Sequence, residues 1–184
     1  MLRPKSLPVL LVLTALVSGC GHLVYSSGPY WGRVIDAETK QPLAGAAVIA
    51  VWLWEGPGLG HPREGLHDVL EVLTDAEGEF TIPGKTHFSL SGTVNEPEVI
   101  IYYPGYGPFP RYQVQPKGAA LDSAFREHTV VELRRLRTRP ERQEHAGFPA
   151  RTVVVPPEKM PNLIRLLDQE RRALGLPTYR EVPQ

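Results

Sequence analysis

The nine residues AAVIAVWLW, Ala46 to Trp54, carry no charged side chain and no turn former. Read as a strand, they place Val48, Ala50, Trp52 and Trp54 on one face and Ile49, Val51 and Leu53 on the other. A strand with one face in water alternates apolar and polar residues, whereas one that is apolar on both faces must be covered on both sides. The fold therefore needs two layers over this one segment, the second supplied by another part of the chain or by a partner.

The surroundings supply other strands. WGRVID leads into DAETKQPLAG, whose Asp, Pro and Gly serve a chain reversal, and the apolar strand follows. EGPGLGHPREG is a Gly/Pro loop, then LHDVLEVL reads as a strand. In TDAEGEFTI, Asp75 can accept from backbone amides two residues on and Gly78 can take the left-handed conformation. THFSLSG, PEVIIYY, RYQVQ and HTVVELRRL complete the series. Short strands at near-regular spacing predict an antiparallel β-sandwich of about seven strands. The tail differs. RTRPERQEHAGFPARTVVVPPEK reads as an extended linker, and PNLIRLLDQERRALG has helical periodicity with Leu163, Leu166, Leu167 and Leu174 on one side. Pro161 opens it, Gly175 closes it and Pro177 follows. A lone helix of this length is marginal in water, so it is expected to dock, with Ala46–Trp54 as a suitable seat.

Upstream, Arg3 and Lys5 precede the apolar run LPVLLVLTALV, which is too short to span a bilayer (about 20 residues are needed as a helix) and has the layout of a cleaved export signal. Val17-Ser18-Gly19-Cys20 resembles a bacterial lipobox, which implies cleavage before Cys20 and acylation of its thiol and new amino terminus. Cys20 is the one cysteine of the 184 residues. Each buried lipid CH₂ contributes about 0.8 kcal/mol, so several acyl chains on one residue anchor it firmly. Gly21, where an Asp would imply inner-membrane retention, favours an outer-membrane destination by the same resemblance, facing the periplasm or the cell surface.

Three segments in order resemble the carboxypeptidase regulatory-like domain, a transthyretin-like β-sandwich: GRVIDAETKQPLAGAAV (Gly32 to Val48), LTDAEGEFTI (Leu73 to Ile82) and VIIYYPGY (Val99 to Tyr106). The resemblance implies an accessory module without catalytic residues. The expected organisation is a signal peptide over residues 1–19, a lipidated tether over 20–30, the sandwich over 31–136, and a linker with the C-terminal helix over 137–184.

The chain has 20 basic and 20 acidic residues, and loss of Arg3 and Lys5 with the leader leaves two more acids than bases. That balance gives no electrostatic motive for binding nucleic acid. Arg134, Arg135, Arg137, Arg139 and Arg142 form a basic run that could meet phosphate groups of lipid or glycan, or pair with Glu132 and Glu141. His61, Glu64, His67 and Asp68 are metal-capable, with His61 and His67 the imidazole candidates, but lack the spacing that puts two imidazoles on one helix face. No nucleophile elbow is present, since SLSGT is not G-x-S-x-G, and neither catalytic residue nor cofactor is expected. The crowded aromatics of YGPFPRY are the best surface candidates, with Tyr106, Phe109 and Tyr112 expected to contact a protein or an envelope glycan. The expected function is thus a lipid-anchored, non-catalytic binding or assembly module of the bacterial envelope. A metal-dependent enzyme using the His61–Asp68 loop and a passive structural lipoprotein are the alternatives.

Overall fold

A computed structural model describes residues 24–61, 63–89, 92–110, 125, 127–149, 152 and 154–179. Cys20 and Tyr112 lie outside the described residues.

The chain is mainly β, with a helical C-terminal tail. Nine strands are described: β1 (Val24–Ser27), β2 (Tyr30–Asp36), β3 (Ala47–Gly56), β4 (Arg63–Leu73), β5 (Glu79–Ile82), β6 (Lys85–Phe88), β7 (Thr93–Val94), β8 (Glu98–Tyr102) and β9 (Thr129–Leu133). They form a β1–β6 ribbon, a three-stranded sheet in the order β5-β2-β9, and a sheet in which β3 pairs with β4 on one side and with β7 and β8 on the other. Pairing is antiparallel except between β2 and β9, which run parallel with Gly32 opposite Thr129 and Asp36 opposite Leu133. The arrangement is therefore mixed, where the sequence pattern predicts purely antiparallel strands. Alternation reports which face is buried and is blind to strand direction.

The apolar segment is the centre of the molecule. Val48, Ala50 and Trp52 of β3 pack in one cluster with Tyr30 and Val34 of β2, Phe80 and Ile82 of β5, and Val131 and Leu133 of β9. The opposite face of β3, Ala47, Ile49, Val51 and Leu53, packs in a second cluster with Val155, Met160, Leu163, Leu166 and Leu167. Three of these lie on the C-terminal helix, α2 (Pro161–Ala173). The covering layer demanded by the sequence is thus the chain's own tail. The register with β4 shifts between Trp52, opposite Asp68, and Leu53, opposite Leu66, so the extra residue is His67 of β4, and Trp54 is only half-buried.

Helix α2 has no side-chain cap of its own at Met160. Glu71 of β4 takes that role, accepting from the Asn162 amide at 2.9 Å, the Leu163 amide at 2.6 Å and Asn162 Nδ2 at 3.0 Å. A carboxylate there satisfies orphan amides and meets the positive end of the helix dipole. The expected linker contains a second helix, α1 (Arg139–Glu144), set by a capping box in which Thr138 and Glu141 bond each other's backbone amides. Arg142 of α1 then grips buried Glu170 of α2 through two bonds of 2.7 Å.

Two other segments depart from expectation. Val24–Ser27, inside the stretch expected as a tether, is a strand, because β1 pairs with β6 along four residues. The turn through Asp75 and Gly78 does not close a hairpin: β4 belongs to the β3 sheet and β5 to the β2 sheet. Its chemistry is as expected, with Asp75 Oδ1 accepting from the Glu77 amide at 3.0 Å and the Glu79 amide at 2.8 Å. Gly78 has φ +77°, and a Cβ there would lie 2.5 Å from the Val34 carbonyl oxygen, so both conformation and space demand glycine.

Candidate functional site

At the end of β2 the chain reverses through a turn organised by Asp36. Its Oδ1 accepts from the Glu38 amide at 2.7 Å and the Thr39 amide at 3.0 Å. A second turn follows β8, closed by the Tyr106 amide on the Tyr103 carbonyl at 3.1 Å. Pro104 and Gly105 occupy its centre; Gly105 has φ +80°, the value a type II turn requires at its third position, in open surroundings. The segment after β9 joins this turn through the Leu136 amide on the Gly105 carbonyl at 2.8 Å and the Gly107 amide on the Arg134 carbonyl at 2.9 Å.

These segments enclose an open cleft of about 650 Å³ whose walls include Asp36, Gln41, Tyr103, Tyr106, Arg135 and Arg142. At its base the Tyr106 hydroxyl donates to Asp36 Oδ2 at 2.6 Å and accepts from Arg135 Nη2 at 2.8 Å. The Arg135 guanidinium also lies 5.3 Å from the Tyr106 ring centroid, within cation–π range. Tyr103 meets the Tyr106 ring edge-on at 5.5 Å. Burial alone would raise the Asp36 carboxyl; the Tyr106 hydroxyl, the two amides and the Arg135 charge outweigh it and hold the group at about 2. Burial, and then the bond to Asp36, push the Tyr106 phenol upward, so it stays a neutral donor. The outcome is a cation fixed in place: Arg135 is 59% exposed in its side chain, yet one edge of its guanidinium is spent on Tyr106. Its other N–H groups remain able to grip a carboxylate or phosphate in the planar manner guanidinium favours.

The sequence-expected contacts separate. Tyr106 is part of this cleft as its floor, 5% exposed with its hydroxyl already engaged. Phe109 is corrected from surface contact to core: it is 2% exposed and packs edge-on to Phe125 at 5.7 Å. Its backbone bridges antiparallel to Ile101, which turns the ring inward. The basic run disperses into individual partnerships. Arg134 meets Glu141 at 3.5 Å, Arg137 meets Glu38 at 2.6 Å, Arg142 takes Glu170, and Arg139 donates to the Leu174 carbonyl. Glu132 pairs with Lys40 at 2.6 Å.

His61 sits in the exposed loop, beside an open hollow it shares with Leu59 and Arg63. His67 lies on β4 with its ring edge-on to His87 at 5.1 Å. Among the described residues no group of three His, Cys, Asp or Glu side chains is gathered in a way that could hold a metal ion. Also among them, no helix is long and apolar enough to cross a membrane. The fold does create a Ser–His contact that the sequence did not signal: Ser27 Oγ and His87 Nε2 stand 3.1 Å apart, and the Trp52 indole donates to the same Ser27 oxygen at 3.0 Å. Both residues are 3% exposed, so a substrate has no approach, and the contact serves to satisfy the buried indole. Asp36, Tyr103 and Arg135 were not brought together as cleft partners by the sequence because they come from three separate segments. The signals available were the Asp at the head of DAETKQPLAG, read as a turn former, and Arg135 as one member of the basic run.

No protein-family model, curated protein or solved structure matches this chain.

Proposed function

We propose that this chain is a lipid-anchored, non-catalytic binding module of the bacterial cell envelope, held at the outer membrane through Cys20. In this reading its sheets form a transthyretin-like sandwich around the Trp52 cluster. The Tyr106 cleft binds an acidic group, carboxylate or phosphate, on an envelope glycan or protein. The observation that carries it is the fixed, outward guanidinium of Arg135, oriented by Tyr106 and Asp36 at the cleft wall. Preorganising an arginine reduces the ordering cost a ligand must offset. The Cys20 anchor is supported by the leader and the lipobox resemblance.

The test places a photo-crosslinking amino acid at Tyr103 in the full chain in intact cells, with and without Arg135→Gln. A discrete adduct that disappears with Arg135→Gln, while membrane fractionation stays unchanged, is the expected result. Adducts insensitive to Arg135→Gln exclude this cleft as the binding site, and no adduct at all removes the binding function. Fractionation of Cys20→Ala tests the anchor separately: release to the soluble fraction is expected.

A further inference from the structure

The β1–β6 ribbon has two unlike faces. Tyr25 and His87, paired across the ribbon, turn inward; His87 is buried and Tyr25 packs on the Trp52 cluster. The outward face consists of the Val24–Phe88 and Ser26–Thr86 pairs, with no charged residue among the four. Ser26 and Thr86 bond each other at 3.3 Å. Val24 and Phe88 are 61% and 59% exposed, large values for apolar side chains directly paired across a ribbon.

Connectivity says what this face meets. Val24 is four residues from Cys20, and four residues of fully extended chain span at most about 14 Å. If Cys20 carries lipid, the Val24–Phe88 end of the ribbon cannot stand farther than that from the acyl attachment point. An uncharged face with two apolar residues at its near end and two hydroxyls beyond suits the boundary between acyl chains and headgroups. We propose that the Val24–Ser26–Thr86–Phe88 face lies on the bilayer that holds the Cys20 lipid and so fixes the body's orientation on the membrane. This rests on the proposed lipidation of Cys20.

Acylation consumes the native thiol, so an introduced cysteine would be the one free thiol in the mature chain. The full precursor carrying Phe88→Cys, Val24→Cys or Val154→Cys is expressed in cells, purified with its lipid, labelled with an environment-sensitive fluorophore and reconstituted into phospholipid vesicles. Val154 is the control, 59% exposed on the tail next to Val155, which packs against the opposite face of β3. The expected result is that labels at 88 and 24 shift to shorter wavelength on reconstitution, are quenched by nitroxide lipids and are shielded from aqueous iodide, while the label at 154 is unchanged. Equal iodide access at 88, 24 and 154 overturns the proposal. A shift that depends on protein density and ignores nitroxide lipids also overturns it, assigning the face to a second copy. Intact mass of the same samples reports acylation of Cys20 independently, so failure of the lipid anchor is distinguishable from failure of the docking face.

Discussion

Tyr106 carries two burdens through one oxygen, since it donates to buried Asp36 and orients exposed Arg135. Tyr106→Phe removes the donor and leaves the carboxylate underbonded, at an expected cost of about 1–3 kcal/mol in urea unfolding. The pH dependence has a defined sign. Asp36 is held at about 2 against an ordinary 3.8, so it binds protons less readily folded than unfolded. Its contribution, about 2 kcal/mol from that difference, is present above pH 3.8 and is lost as pH falls through about 2. Buried His87, held below its ordinary 6.5, erodes stability earlier on the way down, so the comparison must isolate Asp36. In Asp36→Asn and Tyr106→Phe the extra loss between about pH 4 and 2 should vanish or shrink while the His87 component persists; an unchanged acid limb in both would mean the carboxylate is not held as described. At this scale the sequence was partly legible. Asp36 announced a turn, and Tyr106 stood out among crowded aromatics. Nothing in YGPFPRY distinguished the cleft-floor Tyr106 from the core Phe109, because the difference comes from the return of Phe109 onto Ile101.

Among the elements, β3 and α2 were legible together: one had too many apolar faces, the other one apolar face and no support. Each condition is a local property of sequence, so the match could be anticipated. The cap was not, because Glu71 reaches α2 from β4, and neither was α1, whose Thr138–Glu141 capping box lies inside what reads as proline-broken linker. The contact makes separable predictions. Leu167→Ala empties part of the second cluster and should cost about 2–5 kcal/mol. Glu71→Ala leaves the Asn162 and Leu163 amides without their acceptor and should cost about 0.5–2 kcal/mol, as for loss of an N-cap. Urea unfolding gives both numbers, and amide exchange separates them in space. Glu71→Ala should accelerate exchange most in the first turn of α2, whereas uniform acceleration through the helix would mean that Glu71 acts as general packing and not as a cap.

At the level of the whole molecule, the tail joins fold to function. It covers β3 through α2, and it sets one wall of the cleft through Arg142, which Glu170 of α2 holds. Mainly-β character and the covering helix were readable in sequence. The parallel β2–β9 pair and the split of β4 and β5 between sheets were not, since neither leaves a mark on local periodicity. Truncation before Pro156 therefore has a double expected effect. Ala47, Ile49, Val51 and Leu53 would face water, and exposing such side chains costs about 1.5–3 kcal/mol for each large one, against a total stability of about 5–15 kcal/mol. The truncated chain should lose cooperative unfolding or aggregate. Restoring solubility with Ile49→Thr and Val51→Thr would then expose the second effect: Arg142 lacks Glu170, and crosslinking from Tyr103 should weaken even in a folded body. A truncated chain that unfolds at the native midpoint would contradict the covering role. A folded truncation with undiminished crosslinking would confine the site to Asp36, Tyr106 and Arg135, leaving the tail structural alone.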